Sequence, residues 1–441
     1  MQADTVNKTD VDEVQSNSTE KQVGGPLSHK KSWMQWLKSP SQREAELHVL
    51  QHLDFFPISD GKREAHINQI EIGKKLYLNE FEIINTETSE STVSSPQNMV
   101  ILHGYGAGLA FFFRNYDKWS SIPGSRTFSL DLLGFGRSSR PNFSIPTKDL
   151  TVKDENGRVK AVVETENWFI DSIEKWRMAK KIDRFTLMGH SMGGYLAAAY
   201  AFKYPQHVDK LIMMSPAGVE RGYVPELEHR SFFKSQVEPQ QAPHLEEEIN
   251  VSQTTTHEHH HHHNLSPQST LTNEKSTTKR NLPNWILFLW NSHVSPFVFL
   301  RLTAGFAPRL ISHWSYRRFS DLSLSEQNAL HMYSYKTFTA PGSGEYALTR
   351  LLAPGALARE PLVDRVAQNL KCPSIWIYGE NDWMNTDAGR EAVQRLRRLG
   401  VGAAKDAEHY VVDSAGHHVY LDNPPDVDKL VVAFLNKKIP T

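Results

Sequence analysis

The sequence predicts a doubly wound, mostly parallel α/β sheet that carries a helical insertion. Three observations predict it. Short apolar runs that stop at a glycine recur at NMVILHG (98–104), RTFSLDLLGFG (126–136) and RFTLMGHS (184–191). Such runs mark strands buried on both faces. Helical stretches fall between them at about 164–181 and 193–204, and the alternation continues through DKLIMMSP (209–216), PSIWIYGEND (373–382) and EHYVVDSAGH (408–417). Alternation of this kind packs helices on both faces of a parallel sheet. The rhythm stops between about 218 and 365, where aromatic and apolar residues gather over 282–336, among them Trp285, Phe288, Phe297 and Trp314. That segment is expected to be a helical cap, leaving 66–217 and 366–441 as the core.

Around this core the elements follow in order. Residues 1–30 are polar and expected to be a disordered tail. Over 31–65, Trp33, Trp36 and Leu37 precede a helix-like stretch with Ala45, Val49 and His52 on one side. Two tryptophans beside Lys31 and Lys38 suit a membrane–water interface, because indole is amphipathic and an ammonium snorkels. The competing reading is an arm packed over the domain. Residues 66–84, ending in KKLYLNEFEII, read as a hairpin. The stretch 225–281 is low in complexity and is expected to be a surface loop. Its HEHHHHH run at 257–263 would bind metal only adventitiously, since an ordered site needs ligands of fixed geometry. No functional metal and no cofactor are expected.

Bulk properties exclude several classes. The 441 residues carry a net charge of −1, so no overall field recruits nucleic acid. A single cysteine, Cys372, allows no disulfide within the chain and reads as a small buried residue beside a strand. The longest apolar stretch, Trp285–Leu300, is broken by Asn291, Ser292, His293, Ser295 and Pro296, so no membrane-spanning helix is expected. The start, MQADTVNKTDVDEV, has no apolar signal region. It holds Asp4, Asp10, Asp12 and Glu13 and no arginine before Arg43, unlike a mitochondrial import sequence. The expected location is cytoplasmic, peripherally attached to a membrane or lipid droplet, with the mitochondrion as the alternative.

The chemistry centres on GHSMGG, Gly189–Gly194, which matches G-x-S-x-G between an apolar strand and an alanine-rich helix. A sharp strand-to-helix turn there strains the serine backbone, and Gly189 and Gly193 remove side chains that would clash. Ser191 is therefore the candidate nucleophile. A hydroxyl needs a base, and in this architecture the order is serine, acid, histidine. Asp382, just beyond a strand end, is the preferred acid over Glu380 and Asp413. His417 follows Gly416 after the last strand and is the preferred base; the side chain of His418 should point elsewhere. Oxyanion donors are expected from the amides of Met192 and of Tyr105, with Gly106 beside it, in HGYGAG (His103–Gly108). His103 and Gly104 would support that loop.

Several longer motifs then agree: HGYGAG, DLLGFGRSSRP, GHSMGGYLAAAYAFKYPQHVDKLIMMSPAGV, PGSGEYALTRLLAPGALAREPL and SAGHHVYLDNP. Together, over about 33–435 apart from the low-complexity insert, they resemble one subfamily of α/β hydrolases. It includes a lipid-droplet co-activator of triglyceride lipase, a paralogue acting on N-acyl phospholipids, and fungal mitochondrial cardiolipin deacylases. The resemblance implies an α/β-hydrolase fold and an esterase acting on phospholipid or lysophospholipid. It further implies a membrane or droplet surface, and a lipase or droplet-coat protein as partner. The co-activator has asparagine at the nucleophile position. Ser191 favours hydrolysis over co-activation alone. The subfamily's transfer of acyl groups to lysophosphatidic acid is credited to His-x4-Asp, here His417 and Asp422. Since His417 is already the expected base, Asp422 is read as structural, bonding amides of its own loop.

Overall fold

The computed structural model describes residues 24–87, 97–221 and 284–437. Eight strands form one sheet. They are β1 (Arg63–Gly73), β2 (Leu76–Asn85), β3 (Asn98–Leu102), β4 (Arg126–Leu130), β5 (Phe185–His190), β6 (Val208–Met214), β7 (Ser374–Gly379) and β8 (Ala407–Val412). Their spatial order is β1-β2-β4-β3-β5-β6-β7-β8. β2 is antiparallel to β1 and to β4, and every other pair is parallel. The central strands are apolar throughout because both faces are covered: all six positions of β5 are buried. Along β3, Val100 and Leu102 enter one core layer while Met99 and Ile101 enter the other. This is the two-residue period of a strand dividing its side chains between two helical layers.

One layer is built on α3 (Lys160–Lys180), whose Phe169, Ile173 and Trp176 are buried, and α4 (Met192–Lys203). After β6 the described chain resumes in a cap of four helices: α5 (Asn284–Asn291), α6 (Pro296–Leu302), α7 (Ala307–Arg318) and α8 (Leu324–Thr339). The core returns with α9 (Leu362–Asn369) and α10 (Thr386–Leu399), and ends on α11 (Pro424–Asn436). Cys372 is buried, and burial pushes its thiol up to about 12, so it is unreactive at neutral pH. Among the described residues no helix is long and apolar enough to cross a membrane, and no cluster suited to a metal is found. The low-complexity stretch with its histidine run lies outside the described residues.

Two expectations about the N-terminal segment are corrected. Trp33 and Trp36 do precede the helix that carries Ala45 and Val49, but that helix ends at Leu50, short of His52, and the two tryptophans lie inside a further helix, α1 (His29–Lys38), which Ser28 caps by accepting from the Lys31 amide. The helix with Ala45 and Val49, α2 (Gln42–Leu50), has a capping box formed by Ser41 and Glu44. The chain is also placed against the cap from Gly24, earlier than the boundary near residue 30. The amides of Gly24 and Leu27 donate to Gln327 Oε1 and Ser312 Oγ, both at 2.9 Å. Ser32 Oγ donates to the Gly305 carbonyl at 2.6 Å. Polarity misplaces this boundary because the partners stand 303 and 285 residues away. Trp33 sits across Gly305, where an added Cβ would come within 2.4 Å of its ring. Its edge meets Phe306, and Trp33 and Trp36 remain 41% and 42% exposed.

Candidate active site

At the end of β5 the chain turns sharply into α4. Ser191 takes φ 54° and ψ −119°, a conformation that a residue with a side chain adopts only when its surroundings force it. They do so here. Its amide donates to the Met214 carbonyl at 3.0 Å, and its own carbonyl accepts from the amides of Tyr195 and Ala217. A Cβ on Gly189 would lie 2.2 Å from the Gly193 carbonyl oxygen, and one on Gly193 would lie 2.4 Å from that of His103. Both glycines therefore let three backbone segments meet under the serine.

His417, beyond β8, points its Nε2 at Ser191 Oγ, 3.0 Å away, while its Nδ1 lies 3.0 Å from Asp382 Oδ1. Asp382, beyond β7, also accepts from the Met384 amide at 3.0 Å. Burial disfavours its charge, but the hydrogen bond and charge of His417 outweigh burial and hold the carboxyl below its ordinary value. The ionised carboxylate can only accept, so Nδ1 carries the proton and Nε2 is left to take one from the hydroxyl. The two competing acids engage elsewhere. Glu380 Oε2 accepts from the Ser414 amide at 2.9 Å, and Asp413 is exposed.

His418 makes its ring hydrogen bond with Arg318 and not with Ser191, and it lines the cavity described below. Its Nδ1 receives the Nε proton of Arg318 at 3.3 Å. Asp422 stays out of that lining. Its Oδ2 accepts from the Gly416 amide at 2.9 Å and its Oδ1 pairs with Arg318 at 2.8 Å.

The HGYGAG loop approaches Ser191 closely. His103 is fully buried, and burial lowers its pKa so that it is neutral. Its Nδ1 donates to the Gly104 carbonyl at 2.7 Å and its Nε2 accepts from the Leu132 amide at 3.0 Å. A Cβ on Gly104 would stand 3.0 Å from that of Ser191, which measures how closely the loop backbone approaches. Tyr105 and Met192 both line the cavity at Ser191.

Three contacts at the site had no motif to announce them. Phe297 of α6 stacks on Tyr105, ring centroids 5.2 Å apart, and a Cβ on Gly106 (φ 69°) would strike it at 2.6 Å. Trp383 places its ring 4.9 Å from that of His417. His190, the variable position of the serine motif, sends Nε2–H to the His417 carbonyl at 2.9 Å. Burial, then the charge of a protonated His417, lowers its pKa to about 3, so it stays neutral. Above Ser191 opens a cavity of about 450 Å³. Apart from its three histidines and the serine, its walls are mostly apolar, with Ala217, Trp290, Leu348, Leu352 and Met384 among them. Pockets lined in this way bury apolar ligand surface and leave a few polar groups to orient it.

The alpha/beta hydrolase fold model matches residues 97–424. The chain belongs to that family. This α/β hydrolase is 34% identical over 347 residues to a probable 1-acylglycerol-3-phosphate O-acyltransferase of Oryza sativa subsp. japonica, covering 77% of this chain and 67% of the relative. It is 28% identical over 332 residues to the (lyso)-N-acylphosphatidylethanolamine lipase of Bos taurus, covering 74% and 75% of the two chains. The latter is the N-acyl phospholipid branch of the subfamily that the motifs resemble. Among solved structures, carboxylesterase CesB from Bacillus subtilis superposes with a TM-score of 0.50 at 14% identity, covering 93% of this chain and 100% of the other. At that identity the likeness is one of fold.

Proposed function

We propose that this α/β hydrolase is a serine lipid acyl hydrolase that cleaves phospholipid or lysophospholipid esters through an acyl-enzyme. The observation that carries the reading is the unbroken chain of 3.0 Å contacts from Asp382 through His417 to Ser191, ending under an apolar cavity. His417 takes the Ser191 proton as Oγ attacks the ester carbonyl. The amides of Met192 and Tyr105 hold the oxyanion, each worth roughly 3 kcal/mol of transition-state stabilisation. Protonated His417 gives its proton to the departing lyso-lipid oxygen, and water, activated by the same imidazole, releases the acid. No cofactor enters these steps. Trp33 and Trp36, both half-exposed, would rest at a membrane or droplet surface, where a lipase or droplet-coat protein would be met.

A second reading, acyl transfer to lysophosphatidic acid, is favoured by the name of the rice relative. In this site it would use the same acyl-enzyme, with a lyso-lipid hydroxyl in place of water. Purified wild type and Ser191→Ala, assayed on phospholipid vesicles for free fatty acid, test the proposal. Loss of release in the variant supports it; release at the wild-type rate refutes hydrolysis by this serine, and no release by wild type itself leaves a non-catalytic binder that regulates another lipase.

A further inference from the structure

The aspartate of GHHVYLD has its two oxygens turned to different parts of the molecule. Oδ2 holds the amide of Gly416, one residue before His417, at 2.9 Å. Oδ1 holds Nη2 of Arg318, the last residue of α7 in the cap, at 2.8 Å. Arg318 reaches on to His418 Nδ1 at 3.3 Å. Burial, then the Arg318 charge, keeps His418 well below its ordinary pKa, so the neutral ring can accept that bond. The rest of the loop is fastened too. The His417 carbonyl accepts from His190 at 2.9 Å, and the His418 carbonyl accepts from the amides of Leu421 and Asp422 at 2.8 and 3.0 Å.

Both ring nitrogens of His417 are meanwhile engaged, Nδ1 by Asp382 and Nε2 by Ser191. No ring position is left for Asp422 to share, so His417 and Asp422 do not form a second acid–base pair.

We propose that Asp422 is a positioning residue that ties the His417 loop to the cap through Arg318, and that water and lyso-lipid compete for one acyl-enzyme on Ser191. This rests on the Ser191–His417–Asp382 reading above. In the transfer branch the acceptor hydroxyl gives its proton to His417 Nε2 as its oxygen attacks the acyl carbonyl. The new ester forms, the bond from the carbonyl carbon to Ser191 Oγ breaks, and the proton passes to Oγ. Asp422 exchanges no proton in either branch. Its effect is geometric: a displacement of the base of about 1 Å lowers a rate by about 100-fold.

The test compares Asp422→Ala, Asp422→Asn, Arg318→Met and the Asp422→Asn/Arg318→Met pair with wild type. Two assays are used: kcat and KM on p-nitrophenyl butyrate, and fatty-acid release against transfer from phosphatidylcholine vesicles containing lysophosphatidic acid. Asp422→Ala should lower kcat by about 10- to 100-fold with KM within about twofold, and reduce release and transfer by the same factor. Asp422→Asn keeps an acceptor for the Gly416 amide and should restore part of the rate. Arg318→Met should match it, and the pair should lose no more than either alone. Selective loss of transfer with full hydrolysis in Asp422→Ala would overturn the proposal, as would a wild-type kcat. If Asp422→Ala does not fold, unequal effects of Asp422→Asn and Arg318→Met overturn it and equal, non-additive effects support it. If wild type transfers nothing, kcat decides. Ser191→Ala run in parallel separates the failures: activity remaining there overturns the triad reading instead.

Discussion

The sheet and the cap serve the site in different ways. Ser191, Asp382 and His417 all stand just beyond the carboxyl ends of parallel strands, β5, β7 and β8. The cap supplies none of the three. Yet it touches two of the loops that frame them, through Phe297 on Tyr105 and Arg318 on Asp422. The sheet thus sets which atoms can react, and the cap sets how closely the loops are held and what the cavity admits. Losses from the sheet side should therefore be near total, and losses from the cap side graded.

The largest effects separate the two neighbouring histidines. Ser191→Ala and His417→Ala should each lower ester hydrolysis by about 10⁶-fold, as removal of a nucleophile or base does, whereas His418→Ala should keep most activity. Equal activity in the two histidine variants would sink the assignment of the base. Next comes Asp382→Asn, which leaves the shape but offers an amide where a carboxylate fixed the tautomer; a fall in kcat of about 10⁴-fold is expected. A cap contact should count for less. Phe297→Ala removes the ring stacked on Tyr105, and we expect a kcat lowered by about tenfold, of the order that sub-ångström misplacement brings. A loss as deep as that of Asp382→Asn would mean the cap takes part in the chemistry.

Acid should reach the cap through His331. This side chain joins α8 to Ser315 of α7 at 2.8 Å and to Gln35 of the N-terminal helix at 3.2 Å, and burial lowers its pKa from 6.5 to about 4. The unfolded chain binds a proton near pH 6.5 that the folded chain refuses until about pH 4. Stability is therefore present above that window and is lost as pH falls through it, by up to about 1.4 kcal/mol per pH unit. Relative to wild type, His331→Gln should gain in melting temperature between pH 7 and pH 4.5; a constant difference would contradict the burial argument. The smallest effect belongs to the surface. Trp33→Ala with Trp36→Ala should weaken co-sedimentation with liposomes while leaving p-nitrophenyl butyrate hydrolysis unchanged, and unchanged binding would leave the packing role as the sole one.

The same division governs how much could be read from the sequence. The strands and the three residues of the candidate triad, which the fold joins by contacts of 3.0 Å, were legible because their signals are local: an apolar run, a glycine, then the polar residue. The serine motif adds a strand before it and a helix after it within a few residues. The contacts that brace this frame join positions far apart in the chain. Tyr105 meets Ser295 across 190 residues, and Arg318 meets His418 across 100. No periodicity encodes such pairs, so Phe297, Arg318 and the bracing role of His190 emerged only from the fold. The helix that holds Trp33 and Trp36 is not legible for the same reason, since its Ser32 and Gly305 meet across 273 residues.

One measurement reaches the central claim most directly. A fluorophosphonate reacts with a serine only where a base activates it, and leaves a covalent phosphonyl group on Oγ. Intact-protein mass spectrometry after treatment should show one adduct on wild type, mapped to Ser191 and formed in step with loss of esterase activity. No adduct should form on Ser191→Ala, and only a slow one on His417→Ala. An unlabelled wild-type serine, or labelling of Ser191 that leaves ester hydrolysis intact, would contradict it.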